Sequence, residues 1–282
     1  MFTTLNPNLE KAASSALAFC KAQYGSMGLR VEQEIDPTIN WRPSFHLNIS
    51  KFEKLAVEVS DVIYPNALQA AGQDLLHYRG LIRVAQVTPL ETYMSDKEQK
   101  LVQRLREHGF GLFTVGADGK VVKQFDCAPL IQFVSEAYTE TSIKKLPPPL
   151  RTRLRTAYDT YRVNPVKGVQ DAGEVVEGLV NSMARQTAPA AGLSNADLTK
   201  SLADLIDVMY PNQFYKNGRA ALGAARANAK YYRNPTSHSP KTLKAAVERM
   251  QHAREGFISA LKDTQLLTEA MKGLDCKTVI YQ

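Results

Sequence analysis

Residues 45–64 read FHLNISKFEKLAVEVSDVIY, and the fold turns on how this stretch is parsed. FHLNIS alternates apolar and polar side chains, the period of a strand with one face buried. KLAVEVSDVIY is more continuously apolar, as a strand covered on both faces must be. Tyr64-Pro65-Asn66 then breaks the run, because proline fixes φ and brings no N–H to a ladder. Upstream, LRVEQEI (29–35) alternates as a further strand. Ahead of it Leu9, Ala12, Ala13, Ala16, Leu17 and Cys20 keep helical spacing from Asn8 to Tyr24. Asn6-Pro7 supplies a cap and a first-turn proline for that helix. Downstream, NALQAAGQDLLHYRGLI (66–82) returns to helical spacing and LIRVAQVTP (81–89) is strand-like. Ser95 and Glu98 form a capping box ahead of a helix that stops at Gly109. GFGLFTVGADGKVVKQF (109–125) reads as a hairpin about Asp118-Gly119, and APLIQFVSEAY (128–138) as a short helix. This order, helix, three strands, helix, strand, helix, strands, predicts a mixed α/β sheet flanked by helices over residues 1–143.

A different texture follows. KKLPPPLRTRLRTAYDTYRVNPVKG (144–168) carries consecutive prolines and then Arg151, Arg153, Arg155 and Arg162. Residues 144–170 are therefore expected to be a Pro/Arg-rich linker, its arginines either tracking a phosphate backbone or lining a solvated helix face. From Asp171 onward strand patterns all but vanish. GEVVEGLVNSMARQ (173–186), NADLTKSLADLIDVMY (195–210), NGRAALGAARANAKYYRN (217–234) and residues 240–273 read as helices, so residues 171–282 are expected to form an all-α bundle.

Bulk properties bound the function classes. The 282 residues, 44% hydrophobic and 22% charged, suffice for two domains, each with its own core. No apolar run reaches the length of a membrane span, and the first residues lack the basic start and apolar block of a signal peptide. Cys20, Cys127 and Cys276 are far apart and form no CxxC pair. They are expected to be reduced thiols of a cytoplasmic protein, with no disulfide framework and no structural zinc. His77, His108 and His252 show no metal-ligand spacing, and neither a phosphate-binding GxxxxGK[ST] loop nor a GxSxG elbow is present. No metal or cofactor is expected. A net charge of +7 and a pI near 9.2 favour a phosphate-bearing partner.

The element order from Asn6 to Tyr138, with RPSF (42–45) in one strand and AVEVS (56–60) in its neighbour, resembles the PD-(D/E)xK nuclease, or restriction-endonuclease-like, fold. Active members of that family carry an aspartate after the proline, and an acidic residue, one intervening residue and a lysine one strand later. The carboxylates hold Mg²⁺ at the scissile phosphate and the lysine positions the attacking water. Here Ser44 follows Pro43, and Glu58-Val59-Ser60 stands for the second motif, with Glu10 on the first helix as the auxiliary acid. Serine supplies neither the anionic ligand nor the cation, so the resemblance implies a degenerate site at Glu10, Ser44, Glu58 and Ser60. Such a domain would be retired from catalysis and left to bind DNA, RNA or a protein. His46, beside Phe45, would line the old cleft.

YYRNPTSHSP (231–240) holds Arg233, Asn234 and His238 in an R-N-x3-H pattern at the end of one helical stretch and before another. It resembles the HEPN ribonuclease motif. That resemblance implies metal-free RNA cleavage, with His238 as general acid or base, Arg233 on the phosphate, Asn234 orienting, and a 2′,3′-cyclic phosphate product. It also implies a composite site across a homodimer or higher oligomer. The biological setting implied is a prokaryotic antiphage defence or toxin system, in which a partner protein is a further candidate ligand. Ser239-Pro240 is read as the cap of the next helix, which would put His238 at a helix N-terminus where anions are favoured. Tyr231 and Tyr232 are candidates for stacking on bases beside the arginines at 151, 153 and 155. Two readings compete with the ribonuclease. One is a non-catalytic nucleic-acid- or protein-binding subunit. The other is a Mg²⁺-dependent DNase acting through Glu58 and Glu10.

Overall fold

The computed structural model describes residues 2–3, 5–37, 41–63, 78, 80–95, 99–130, 134–233 and 239–280. The chain divides into two compact units, Met1–Ser135 with Thr242–Val247, and Glu136–Lys241 with Glu248–Gln282.

The first unit is built on a six-stranded sheet. Helix α1 (Pro7–Tyr24) starts where the sequence says it must, because the Asn6 side chain accepts from Leu9 N at 3.0 Å and Pro7 fills the first turn. Strands β1 (Arg30–Val31), β2 (Phe45–Asn48) and β3 (Glu53–Val59) follow as an antiparallel series. Strand β4 (Leu81–Pro89) lies parallel to β3, β5 (Gly111–Val115) parallel to β4, and β6 (Val121–Phe125) antiparallel to β5. The order across the sheet is β1-β2-β3-β4-β5-β6. Between β4 and β5 run α2 (Leu90–Tyr93) and α3 (Gln99–Glu107).

The continuous apolar runs of β3 and β4 are explained by cover on both faces. On one face Ala12, Ala13, Ala16 and Cys20 of α1 pack with Leu55, Val57, Val59, Val87 and Phe113. On the other, Ala56, Ile82, Val84 and Leu112 pack with Trp41, Ile63, Leu105 and Phe110. The expected hairpin forms between β5 and β6, its turn closed by Gly116 N to Lys120 O at 2.9 Å and by Asp118 accepting from Lys120 N. The strand expected over 29–35 is cut to Arg30–Val31. Glu32 adopts φ 49°, outside strand geometry, and its carboxylate accepts from the amide and hydroxyl of Thr3 at 2.8 and 2.6 Å. The helix expected at 66–82 and the capping residue Glu98 fall outside the described residues, apart from the positions at 78 and 80–82.

Among its described residues the second unit contains helices and turns and no strand. It contains α4 (Glu136–Ile143), α5 (Pro148–Val163), α6 (Pro165–Ala191), α7 (Leu202–Met209), α8 (Arg219–Asn228) and α9 (Leu243–Gly273), the last shared by number with the first unit. Two 3₁₀ turns flank α7, at Asp197–Thr199 and Gln213–Gly218. The linker expected at 144–170 is not a linker. Pro148 and Pro149 occupy the first turn of α5, where a missing N–H costs nothing and φ is already helical. Leu150, Leu154, Ala157, Tyr158 and Tyr161 then form a buried stripe at helical spacing. Tyr161 and Tyr158 pack on Phe257 of α9, with ring centroids 4.5 and 6.0 Å apart. Asn164 alone joins α5 to α6, ending the first helix through its N–H to Thr160 O and capping the second through its side chain to Lys167 N.

Candidate functional sites

The sheet brings part of the degenerate nuclease set together. Ser44 immediately precedes β2, and its hydroxyl accepts from Val59 N at 3.0 Å. The Ser44 backbone and the Trp41 side chain lie beside the Glu58 carboxyl and favour its charged form. Glu58 faces away from α1, because the flanking Val57 and Val59 belong to the α1 side and side chains alternate along a strand. Glu10 rides on α1, so the sheet lies between the two carboxylates. Ser60 follows the end of β3, nine-tenths buried, and its hydroxyl accepts from Val62 N at 3.1 Å. Asp61 lies beyond the strand and is exposed. Among the described residues no group of three or more His, Cys, Asp and Glu side chains is placed to hold a metal ion.

Around Glu58 the same face carries a polar row that the sequence reading did not single out. Gln86 pairs with Glu58 across β3 and β4, and Thr114 with Thr88 across β4 and β5. Gln86, Thr88 and Thr114 are each no more than 1% exposed. Gln86 donates to Val62 O at 2.6 Å, and Gln124 donates to Thr114 Oγ1 at 2.8 Å. Glu58 Oε2, Gln86 Oε1 and Thr88 Oγ1 make no hydrogen bond. Each such buried atom costs about 1–3 kcal/mol, so the row is poor core. It lies toward the carboxyl ends of the parallel strands, where open α/β sheets bind ligands. The signal for it was legible in hindsight as polar residues recurring at period two, Gln86 and Thr88, inside an otherwise apolar strand. His46 lies on this face too, opposite Ala56, buried, with its pKa lowered by burial and by nearby Lys54.

Burial pushes the Glu58 carboxyl up from 4.5 to about 7, opposed by its bonds to Ser44 and Trp41. Between those two values the folded protein holds the proton and the unfolded chain does not. Stability therefore falls as pH rises from about 4.5 to about 7, by at most ~3 kcal/mol, and this contribution is flat above. Glu58→Gln fixes the neutral form. It is expected to melt with the wild type near pH 4.5 and several degrees above it at pH 8; an equal difference at both pH values would refute the assignment.

In the helical unit α8 passes into a π-helical turn, Ala229–Arg233, with which the described residues of this stretch end. Asn234 and His238 lie outside the described residues. The following helix is capped by Thr242, whose side chain accepts from Ala245 N at 3.2 Å, and not by Ser239. By number His238 is four residues ahead of that cap. π-turns are rare and gather at functional sites. This one is tied down by Asn228, buried at 2%, which donates to Gly256 O at 3.1 Å. Tyr232 packs against α9 beside His252, and a Cβ on Gly256 would lie 2.6 Å from Tyr232 Cβ. Tyr232 is therefore a packing residue, whereas Tyr231 is 55% exposed.

Tyr231 lines a groove of about 330 Å³ with Lys230, Arg226, Gly223, Tyr210 and Asp207. Arg226 pairs with Asp207 at 2.9 Å, both groups half exposed. Lys230 Nζ lies 5.2 Å from the centroid of the Tyr231 ring. Of these, only Tyr231 stood out in the sequence. The signal available was the spacing of Arg219, Arg226, Lys230 and Arg233, which keeps cations on one side of a regular helix. The arginine stripe of α5 is less uniform than expected. Arg155 is held by Glu140 in two bonds of 2.7 and 2.6 Å, Arg151 is half-buried, and Arg153 is exposed. No family model matches the chain, and no curated protein or solved structure matches it.

Proposed function

We propose that this protein is an endoribonuclease that needs no metal ion, with Arg233, Asn234 and His238 carrying the chemistry. The observation that supports it best is the π-turn ending on Arg233. It interrupts helical register at the residue that the R-N-x3-H pattern assigns to the phosphate, and it is fixed from behind by Asn228 and Gly256. In this reading the arginine binds the scissile phosphate and stabilises its developing charge. His238 takes the proton from the ribose 2′-OH or returns one to the leaving 5′-oxygen, giving a 2′,3′-cyclic phosphate. The HEPN-like arrangement is completed by pairing of two chains, so activity per chain should fall on dilution below the dimer dissociation constant.

The first unit is proposed to be a restriction-endonuclease-like fold that binds a nucleic acid or partner without cutting. Three antiparallel strands, a crossover and a parallel fourth strand support that topology. The donor set argues against hydrolysis there. The Ser44 hydroxyl is engaged by Val59 N, Glu58 retains its proton up to about pH 7, and Glu10 is across the sheet. A defence or toxin role is the setting in which such a pairing of units makes sense.

The test is cleavage of mixed cellular RNA by the full chain, in EDTA and separately in Mg²⁺, with analysis of product ends. Cutting in EDTA with cyclic phosphate ends, unchanged in Glu58→Gln, is expected. Cutting only with Mg²⁺ and lost in Glu58→Gln would move the activity to the sheet and overturn the proposal.

A further inference from the structure

The groove beside the π-turn has a composition that the cleavage reading does not by itself require. Its walls carry two tyrosines that are 46% and 55% exposed, Tyr210 and Tyr231. Two exposed rings lining one groove offer planar faces on which a planar group can stack. Two cations, Arg226 and Lys230, lie in the same groove against one carboxylate, Asp207. That carboxylate is spent on Arg226, with 2.9 Å contacts to both its oxygens, and it holds the guanidinium in place. The pair is solvent-exposed, so its net stabilisation is small and a phosphate can compete for the arginine. Gly223 forms the floor. A Cβ there would meet the Tyr210 ring at 3.6 Å, an ordinary contact, whereas a longer side chain would extend into the groove.

Aromatic faces with interleaved cations are how unpaired nucleotides are held without reading their sequence: bases stack on the rings and phosphates meet the cations. A volume of about 330 Å³ takes one nucleotide, not a duplex. We infer that this groove seats an unpaired nucleotide of the RNA strand, its base against Tyr210 and Tyr231 and its phosphate at Arg226 and Lys230. For what then happens to the strand, the inference rests on the ribonuclease reading, since the same π-turn runs from Ala229 to Arg233. It makes the substrate class single-stranded RNA, or a loop within a folded RNA, with little base preference.

The experiment separates binding from cutting. The probe is a fluorescent single-stranded oligoribonucleotide bearing 2′-O-methyl on every ribose, which cannot form a cyclic phosphate and reports binding alone. With the full chain, the double variant Tyr210→Ala, Tyr231→Ala is expected to raise Kd about tenfold or more. Tyr210→Phe, Tyr231→Phe should stay within about twofold, because stacking is kept. Gly223→Leu should weaken binding as the alanine pair does, and a duplex of the same sequence should bind about tenfold more weakly than the single strand. Because both tyrosines are exposed, an unchanged melting temperature verifies that the variants fold. Wild-type affinity in the alanine pair, or equal affinity for duplex and single strand, overturns the inference and returns the groove to a protein-facing surface. Loss of probe binding in the alanine pair, with no cleavage of natural RNA by any form, upholds the groove and sinks the ribonuclease reading.

Discussion

Gly168→Ala is expected to destabilise the helical unit by about 3 kcal/mol or more, although alanine is the better helix former by ~1 kcal/mol. Gly168 sits in the first turn of α6, and a Cβ there would lie 2.3 Å from Tyr161 Cα and 2.5 Å from Tyr161 N. Those are backbone atoms, so no side-chain rotation relieves the clash. The single-residue connection at Asn164 leaves no slack for the two helices to part. Parting them would also pull Tyr161 off Phe257, where the rings are 4.5 Å apart. Calorimetry should show a lower melting temperature for the transition of the second unit, by roughly 5–10 °C. Gly192→Ala tests the opposite extreme. Unlike helical Gly168, that glycine adopts a conformation unfavourable to a side chain, φ 67°, but a Cβ there meets nothing within 4 Å, so it should cost only about 1 kcal/mol. A loss at Gly168 no larger than the one at Gly192 would mean that the close approach to Tyr161 is relieved without cost.

Arg233→Ala and His238→Ala should each reduce RNA cleavage in EDTA by about 10²–10⁴-fold, the range for loss of an acid–base group or of a charge-stabilising donor. The informative measurement is the double variant. Two groups that act on one transition state fail together, so the double variant should be less than about tenfold worse than the poorer single one. Arg233→Lys should recover only part of the loss, since an ammonium keeps the charge but not the planar fork that grips two phosphate oxygens. Multiplicative losses would assign the two residues to separate steps, and unaltered cleavage in His238→Ala would remove the histidine from the mechanism.

Much of the fold could be read from local rules because it is locally determined. The Asn6 cap, the alternation in β2, the double-sided burial of β3 and β4 and the turn after Val115 each depend on a few neighbouring residues. The failure at 144–170 has a physical origin. A proline run is stiff either as a connector or as a helix start, and only the buried stripe from Leu150 to Tyr161 separates the two. The same ambiguity moved the cap of α9 from Ser239 to Thr242. Elements of the candidate sites that depend on distant packing were out of reach. The π-turn requires Gly256, from another helix, to admit Tyr232, and the polar row needs strand register to bring Gln86 beside Glu58. Separation of Glu10 from Glu58 likewise follows from which face α1 covers, and no motif encodes that.

The two open margins of the sheet differ in how they resist fibril growth. At one margin β1 offers only Arg30 and Val31 before Glu32 turns the chain away, too short a template for a second molecule to dock its own backbone. At the other, β6 presents five residues, with Val122 44% exposed and a register shift opposite Leu112 and Phe113. That irregularity blunts the edge, and so do Lys123 and Gln124, which separate Val122 from Phe125, with Lys123 paired to Asp126 at 2.6 Å. Concentrated or partly unfolded protein should therefore aggregate through β6, the longer of the two edges, before β1.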